Sequence, residues 1–158
     1  LRTVGRSGAF LTLFLDGAKG FLAVWIADSW TGHNPVAIGL SAVAVLLGHI
    51  FPIFLHFHGG KGVATTLGIF LYIALIPILW TIGVFITVVL LSRYVSLGSI
   101  MAATVFPILY FFFQFKPHPS GWLFSAVCFC CFLIIVKHHD NIARLLKGTE
   151  NKFSGFAT

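Results

Sequence analysis

The stretch GVATTLGIFLYIALIPILWTIGVFITVVLL, residues 62–91, carries no charged side chain and one proline, Pro77. A bilayer is crossed by about 20 predominantly apolar helical residues. The stretch is therefore one long helix kinked at Pro77, or two short helices with a tight turn there. The two readings put the rest of the chain on opposite sides of a membrane, so this stretch decides the topology. Working outward, apolar segments predict spans over 10–27 and 35–55 before it, and over 96–115 and 121–136 after it, with boundaries that shift by a few residues.

Charge decides between the readings. If residues 62–91 cross twice, Arg2, Arg6, Lys61, Arg93, Lys137, Arg144, Lys147 and Lys152 share one side, Lys116 faces the other, and Lys19 stays within a span. Cytoplasmic loops carry the excess of Lys and Arg. A single crossing splits the same residues and removes the asymmetry. The expectation is six spans with the basic side cytoplasmic. The helices around Pro77 are then short for a bilayer, which implies local thinning or tilt.

Composition agrees. Of 158 residues, 58% are apolar and 9% are charged, and the mean hydropathy is +1.00. Soluble domains carry about 25% charged residues, and a small fold leaves too much surface exposed to hide this apolar content. A water-soluble monomer and a disordered chain are both excluded. The formal charge of +6 does not indicate nucleic acid, because the basic residues punctuate apolar runs instead of forming one face. Cys128, Cys130 and Cys131 sit within one apolar run and read as small apolar residues. The fold class expected is an all-α integral membrane protein, a polytopic helical bundle. Residues 1–158 read as a single membrane-embedded domain, without internal repeat or soluble module. The chain opens on Leu1, with Arg2 and Arg6 at once, and reads as a fragment whose first segment is missing.

On the double-crossing topology the polar residues gather at the basic side. Asp16 and Lys19 lie in the first span, three apart and so on one helix face. An ionisable group inside a span is costly unless it faces a polar site, so the two are either functional or a structural ion pair. Gly59-Gly60-Lys61-Gly62 precedes an apolar helix. Glycines allow close backbone approach, the helix start offers N–H groups and a positive dipole end, and Lys61 adds a full charge. Together they make an anion cradle suited to phosphate, although no Walker loop is present; the alternative is a flexible turn with one topology lysine. Ser96 reads first as the N-cap of the next helix. Ser99, one turn on, either donates into a site or back-bonds within its helix. His138 and Asn141 share a helix face, with Glu150 following; they are site groups or a polar end-cap. The pair His56 and His58 lacks an acidic or Cys partner for a metal, and no metal or cofactor is expected. Residues 142–147 make a short amphipathic segment for the interface.

Five blocks in order resemble a known family. They are Leu15-Asp16-Gly17-Ala18-Lys19-Gly20; Gly48-His49-Ile50-Phe51-Pro52; Gly59-Gly60-Lys61-Gly62-Val63-Ala64-Thr65; Arg93-Tyr94-Val95-Ser96-Leu97-Gly98-Ser99; and His138 through Glu150. They resemble the bacterial acyl-phosphate:glycerol-3-phosphate acyltransferases, the PlsY family, over essentially the whole chain. The resemblance implies a seven-helix inner-membrane enzyme with its active site at the cytoplasmic face. Such an enzyme transfers a fatty acyl group from acyl phosphate to the 1-hydroxyl of sn-glycerol 3-phosphate, giving lysophosphatidic acid and phosphate, the first acylation of phospholipid biosynthesis. Six spans here would make seven with one preceding helix. Of the family's first motif only its arginine, Arg2, would remain. The family often has Arg where His139 stands.

The resemblance implies phosphate binding by Arg2, Lys19, Gly59, Gly60, Lys61 and Gly62. It implies substrate positioning by Ser99, His138 and Asn141, supported by Asp16, His49, Ser96 and Glu150. The expected partners are the two substrates and membrane lipid, with no nucleic acid and no obligate protein partner. None of the seven His has Asp five positions on, so the His-x-x-x-x-Asp dyad of other glycerolipid acyltransferases is absent. The rival class is a transporter for an organic phosphate anion, which glycine-broken helices and intramembrane charge would suit. Against it stand the lack of an inverted repeat and the gathering of polar residues at one face. A membrane scaffold would leave the glycine–lysine loop unexplained.

Overall fold

A computed structural model describes residues 5–53, 59–117 and 119–153. Among these the secondary structure is entirely helical. In order the elements are α1 (Gly5–Thr31), α2 (Pro35–Ile50), α3 (Val63–Ile73), α4 (Leu75–Ser92), α5 (Val95–Tyr110) running into a π-turn (Phe111–Phe115), α6 (Gly121–Lys137) and α7 (His139–Leu146). Among the described residues three stretches are long and apolar enough to cross a membrane: Ser7–Thr31, Leu75–Ser92 and Val95–Phe115; α6 and α7, bent by 53°, make a fourth if the two are one broken span. The apolar helices α2 and α3 are shorter.

Local chemistry sets the breaks. Gly32 and His33 both take positive φ and end α1. Asn34 then caps α2, its side chain accepting from the Val36 N–H, with Pro35 in the first turn. The span expected over 35–55 stops as a helix at Ile50. Pro52 is the reason: the residue before a proline is steered out of the α region, and Phe51 sits at φ −124°, ψ 60°. The expected turn at Pro77 is also corrected. The chain breaks at Ala74 (φ −153°, ψ 74°), and Pro77 falls in the first turn of α4. A proline there costs little, because N–H groups of a first turn have no intrahelical partner in any case. The consequence is unequal halves. With 11 residues α3 is short, whereas α4, with 18, is not.

The core lies between α1, α2, α3, α5 and α6. It contains Val24, Leu46, Ile50, Ile69, Phe106, Val127 and Cys130, all buried. Phe70 and Phe106 stack at 3.8 Å between centroids and 3° between planes. The outer faces are apolar too: Trp80 is 63% and Leu91 83% exposed. That is the pattern of a bundle solvated by lipid.

α1 and α3 run parallel with their backbones in contact. A Cβ on Gly20 would lie 2.2 Å from the Thr65 carbonyl oxygen, and one on Gly68 would lie 1.9 Å from that of Gly17. Small residues let helix backbones approach this closely. The contact brings the middle of α1 level with the start of α3, and so brings Asp16 and Lys19 beside the glycine loop.

Candidate functional site

The loop before α3 is shaped by its glycines. A Cβ on Gly59 would meet the carbonyl oxygens of His49 (2.1 Å) and Ile50 (2.6 Å), and one on Gly60 would meet Nε2 of His49 at 2.3 Å. Gly62 has φ +83°, and a Cβ there would lie 2.5 Å from Leu46 Cδ1. The loop thus folds back onto the last turn of α2, where only bare backbone fits. Gly62 is also the N-cap of α3 and offers no side-chain cap, so the first N–H groups of α3 are left for another acceptor.

Lys61 leaves this loop to donate to Oδ1 of Asn141. The amide nitrogen of Asn141 donates to Glu150 Oε1 at 2.6 Å, and Ser96 Oγ donates to the same oxygen at 2.7 Å. Arg144 Nε donates to Glu150 Oε2 at 2.7 Å. Burial raises the Glu150 carboxyl, but the bonds from Asn141, Ser96 and Arg144 and the Arg144 charge outweigh it and hold the group at about 2. Burial lowers the Lys61 ammonium from the ordinary lysine value, opposed by the charge of Glu150.

His138 is buried between α6 and α7. Its Nδ1 lies 2.7 Å from the Ile134 carbonyl oxygen. A carbonyl only accepts, so Nδ1 carries the proton and Nε2 of the neutral ring is left as an acceptor.

A second cluster packs against the loop through His49. Lys19 Nζ is 2.6 Å from Asp16 Oδ1 and 2.8 Å from His49 Nδ1. The ion pair expected as one alternative is present, and it is tied to the histidine that packs on Gly60. Ser99 is buried, and its hydroxyl donates to the Val95 carbonyl at 3.1 Å, the back-bonding alternative. Ser96 is not an N-cap. Tyr94 holds that position without a side-chain bond, while Ser96, within the first turn, is committed to Glu150. Arg2, His56 and His58 lie outside the described residues.

Below the polar groups, α3, α4, α5 and α6 enclose an apolar cleft of about 370 Å³, lined among others by Val63, Leu67, Ile82, Ser99 and Phe106. Val63, in this wall, directly follows the glycine loop, and Ser99 lies about one helical turn from Ser96, so the cleft adjoins both the loop and the polar network.

Two features escaped the sequence reading. Arg144, read as an interfacial charge, is a partner of Glu150; the signal was an arginine and a glutamate on either side of a glycine, Gly148, which takes positive φ. At the far end of α1, buried Asp28 accepts from Tyr72 Oη at 2.5 Å and lies 3.0 Å from His33 Nδ1. An acid just past the expected end of the first span was its signal.

The comparisons bear on this geometry. Residues 1–148 match the family model described as glycerol-3-phosphate acyltransferase. A glycerol-3-phosphate acyltransferase of Trichlorobacter lovleyi is 47% identical over 153 residues, covering 96% of this chain and 76% of the relative. One of Syntrophotalea carbinolica is 43% identical over 152 residues, with the same coverage of 96% and 76%. Among solved structures, the lysophosphatidic acid form of PlsY, an integral membrane glycerol 3-phosphate acyltransferase, superposes with a TM-score of 0.87 at 34% identity, covering 96% of this chain and 75% of that one. The glycerol 3-phosphate form gives a TM-score of 0.86 at 36% identity, with coverage of 97% and 74%. With sequence, fold and glycine loop in agreement, the chain belongs to the glycerol-3-phosphate acyltransferase family of the PlsY type.

Proposed function

We propose that this chain acylates the 1-hydroxyl of sn-glycerol 3-phosphate with a fatty acyl group taken from acyl phosphate, giving lysophosphatidic acid and phosphate. The observation that carries the reading is a cationic glycine loop, with Lys61 bound to Asn141, beside an apolar cleft walled by Ser99. A phosphate-binding end next to a slot for an acyl chain suits both substrates. The related PlsY structures described as glycerol 3-phosphate and lysophosphatidic acid forms support the acceptor and the product.

The chemistry needs no covalent enzyme intermediate. The glycerol oxygen attacks the acyl carbonyl, the carbon–oxygen bond to phosphate breaks, and the hydroxyl proton passes to a phosphate oxygen. Lys61, the loop N–H groups and Arg2 neutralise the charge growing on the carbonyl and phosphate oxygens. His138, with Nε2 as acceptor, and Asn141 orient the hydroxyl. Ser99 lines the approach and does not act as nucleophile; its hydroxyl is already turned to Val95.

The reading extends to a bacterial inner-membrane enzyme of six spans in this chain, with its site at the cytoplasmic side. Support comes from contacts among the basic ends. Lys137 lies 5.3 Å over the Phe51 ring, Lys152 lies 5.8 Å over Tyr94, and Phe153 N–H donates to the Arg93 carbonyl.

The test is acyl transfer in liposomes with labelled glycerol 3-phosphate, using the full-length protein. Acyl phosphate should support product formation and acyl-CoA should not. Product with acyl-CoA alone, or an acyl group trapped on Ser99, would overturn the donor or the direct mechanism. Phosphate flux without transfer would point instead to a transporter.

A further inference from the structure

The Asp16–Lys19 pair has no direct part in the network around Glu150, yet it sits within a span, where charge is costly. Its contact with His49 gives it a use. Lys19 Nζ lies 2.8 Å from His49 Nδ1. An ammonium has three donors and no acceptor, so Nδ1 must supply the lone pair. Asp16 Oδ1 is 3.5 Å from the same nitrogen, beyond a good hydrogen bond, and 2.6 Å from Lys19. Asp16 therefore anchors the ammonium, and the ammonium anchors the imidazole. The ring is neutral, and its one proton is on Nε2.

Nε2 faces the glycine loop, at 2.3 Å from where a Cβ on Gly60 would stand. The ring is largely buried, its side chain 13% exposed. The opposite arrangement holds at His138, where a carbonyl at Nδ1 leaves Nε2 as an acceptor. Each site histidine thus has a fixed tautomer, and the two are reversed.

We propose that His49 is a phosphate-binding residue: a neutral imidazole that presents Nε2–H to an anion held in the Gly59–Gly62 loop, with Lys19 and Asp16 as positioning residues that fix its tautomer. The proposal rests on the acyltransferase reading for its choice of ligand, a phosphate monoester or acyl phosphate. Neutrality has a chemical advantage here. A donor without charge binds phosphate without adding to the cations already supplied by Lys61, and so does not hold the leaving phosphate too tightly for release.

Two experiments test it in the full-length protein. The first is nitrogen NMR of histidine-labelled protein in micelles, with His49 assigned by comparison with His49→Gln. At neutral pH, Nδ1 should resonate as unprotonated and Nε2 as protonated, and inorganic phosphate should move Nε2 much more than Nδ1. A protonated Nδ1, or an Nε2 that phosphate leaves unmoved, would overturn the proposal. Because this readout needs no turnover, it survives even if acyl transfer is never seen, which separates its failure from that of the proposed reaction.

The second is kinetic. His49→Gln keeps a donor near the Nε2 position, and His49→Asn keeps only the contact with Lys19. His49→Asn should raise KM for one phosphate substrate at least about tenfold with kcat little changed, the signature of lost ground-state binding. His49→Gln should stay within about threefold of the unmodified enzyme. Measuring KM for glycerol 3-phosphate and for acyl phosphate separately tells which phosphate the loop holds. Equal behaviour of the two variants would mean that the ring only fills space against Gly60.

Discussion

The side-chain oxygen of Asn141 accepts from Lys61, a residue 80 positions earlier in the chain. This bond joins the loop before α3 to the first turn of α7 and aims the lysine head at the site. The Asn141 amide nitrogen is used as well, on Glu150. The amide cannot flip without breaking both bonds, so its orientation is fixed by its neighbours.

Loss of the charge is the first prediction. Lys61→Ala should lower kcat/KM by about 10²–10³, the usual cost of removing one donor to developing charge in a site. Asn141→Asp should lower it too, because a carboxylate there would neutralise the lysine and repel Glu150. Steady-state assays on folded, monodisperse protein check both.

The loop glycines should not respond alike. Gly59→Ala drives a Cβ into the backbone carbonyls of His49 and Ile50, which cannot yield without unwinding the end of α2; a lowered thermal midpoint is expected. Gly60→Ala meets first the His49 ring, a side chain that can yield by giving up its bond to Lys19. It should keep its thermal midpoint to within a few degrees and lose about tenfold in activity. Thermal denaturation alongside turnover separates the two.

Glu150 should make stability depend on acid. Its carboxyl is held at about 2 against an ordinary 4.5. A depressed carboxyl lends stability that is whole above its unfolded value and is lost as pH falls through the folded one. The unmodified protein should therefore lose stability between about pH 4.5 and 2 through this group. Glu150→Gln should be less stable at neutral pH by about 3 kcal/mol, the order for breaking one side of a buried charged network. The difference should shrink across that acid window, as unfolding curves at several pH values would reveal.

Thr66 offers a prediction of opposite sign. Its hydroxyl oxygen is buried and has no hydrogen-bond partner among the described residues. Thr66→Val removes a buried, unsatisfied polar atom at nearly constant shape, a change worth about 1–3 kcal/mol in favour of the folded state. A thermal midpoint below that of the unmodified protein would show that this hydroxyl has a partner in the functioning enzyme.

The far end should be separable from the site. Tyr72→Phe removes the bond to Asp28 and should cost about 2 kcal/mol, as for a hydrogen bond to a charged group. KM and kcat should not change. A changed KM would mean that the two ends of the bundle are coupled.

Much of this was legible in the sequence. Apolar runs gave the helices, and Gly59, Gly60 and Gly62 announced a loop that only glycine could form. His138 and Asn141, read from their i, i+3 spacing as sharing one helix face, stand instead at the break between α6 and α7 and in the first turn of α7. What stayed hidden was pairing across the chain. Nothing in the periodicity of α5 links Ser96 to Glu150, 54 residues away, and nothing in α1 links Lys19 to His49, 30 residues away. Such bonds arise only once the helices have packed. The break at Ala74 was missed for a different reason. Proline is a strong breaker inside a helix but a welcome guest at its start, and the sequence alone did not tell which role Pro77 had.

The contact of α1 with α3 through Gly17, Gly20 and Gly68 works as a keyed joint. A turn of α1 by one residue, about 100°, would replace glycine by a side chain at the crossing and force the helices apart. The joint thus accepts one angular setting, and that setting aims Lys19 at His49. The tolerance of the polar site is set at a helix crossing, by residues that have no side chain at all.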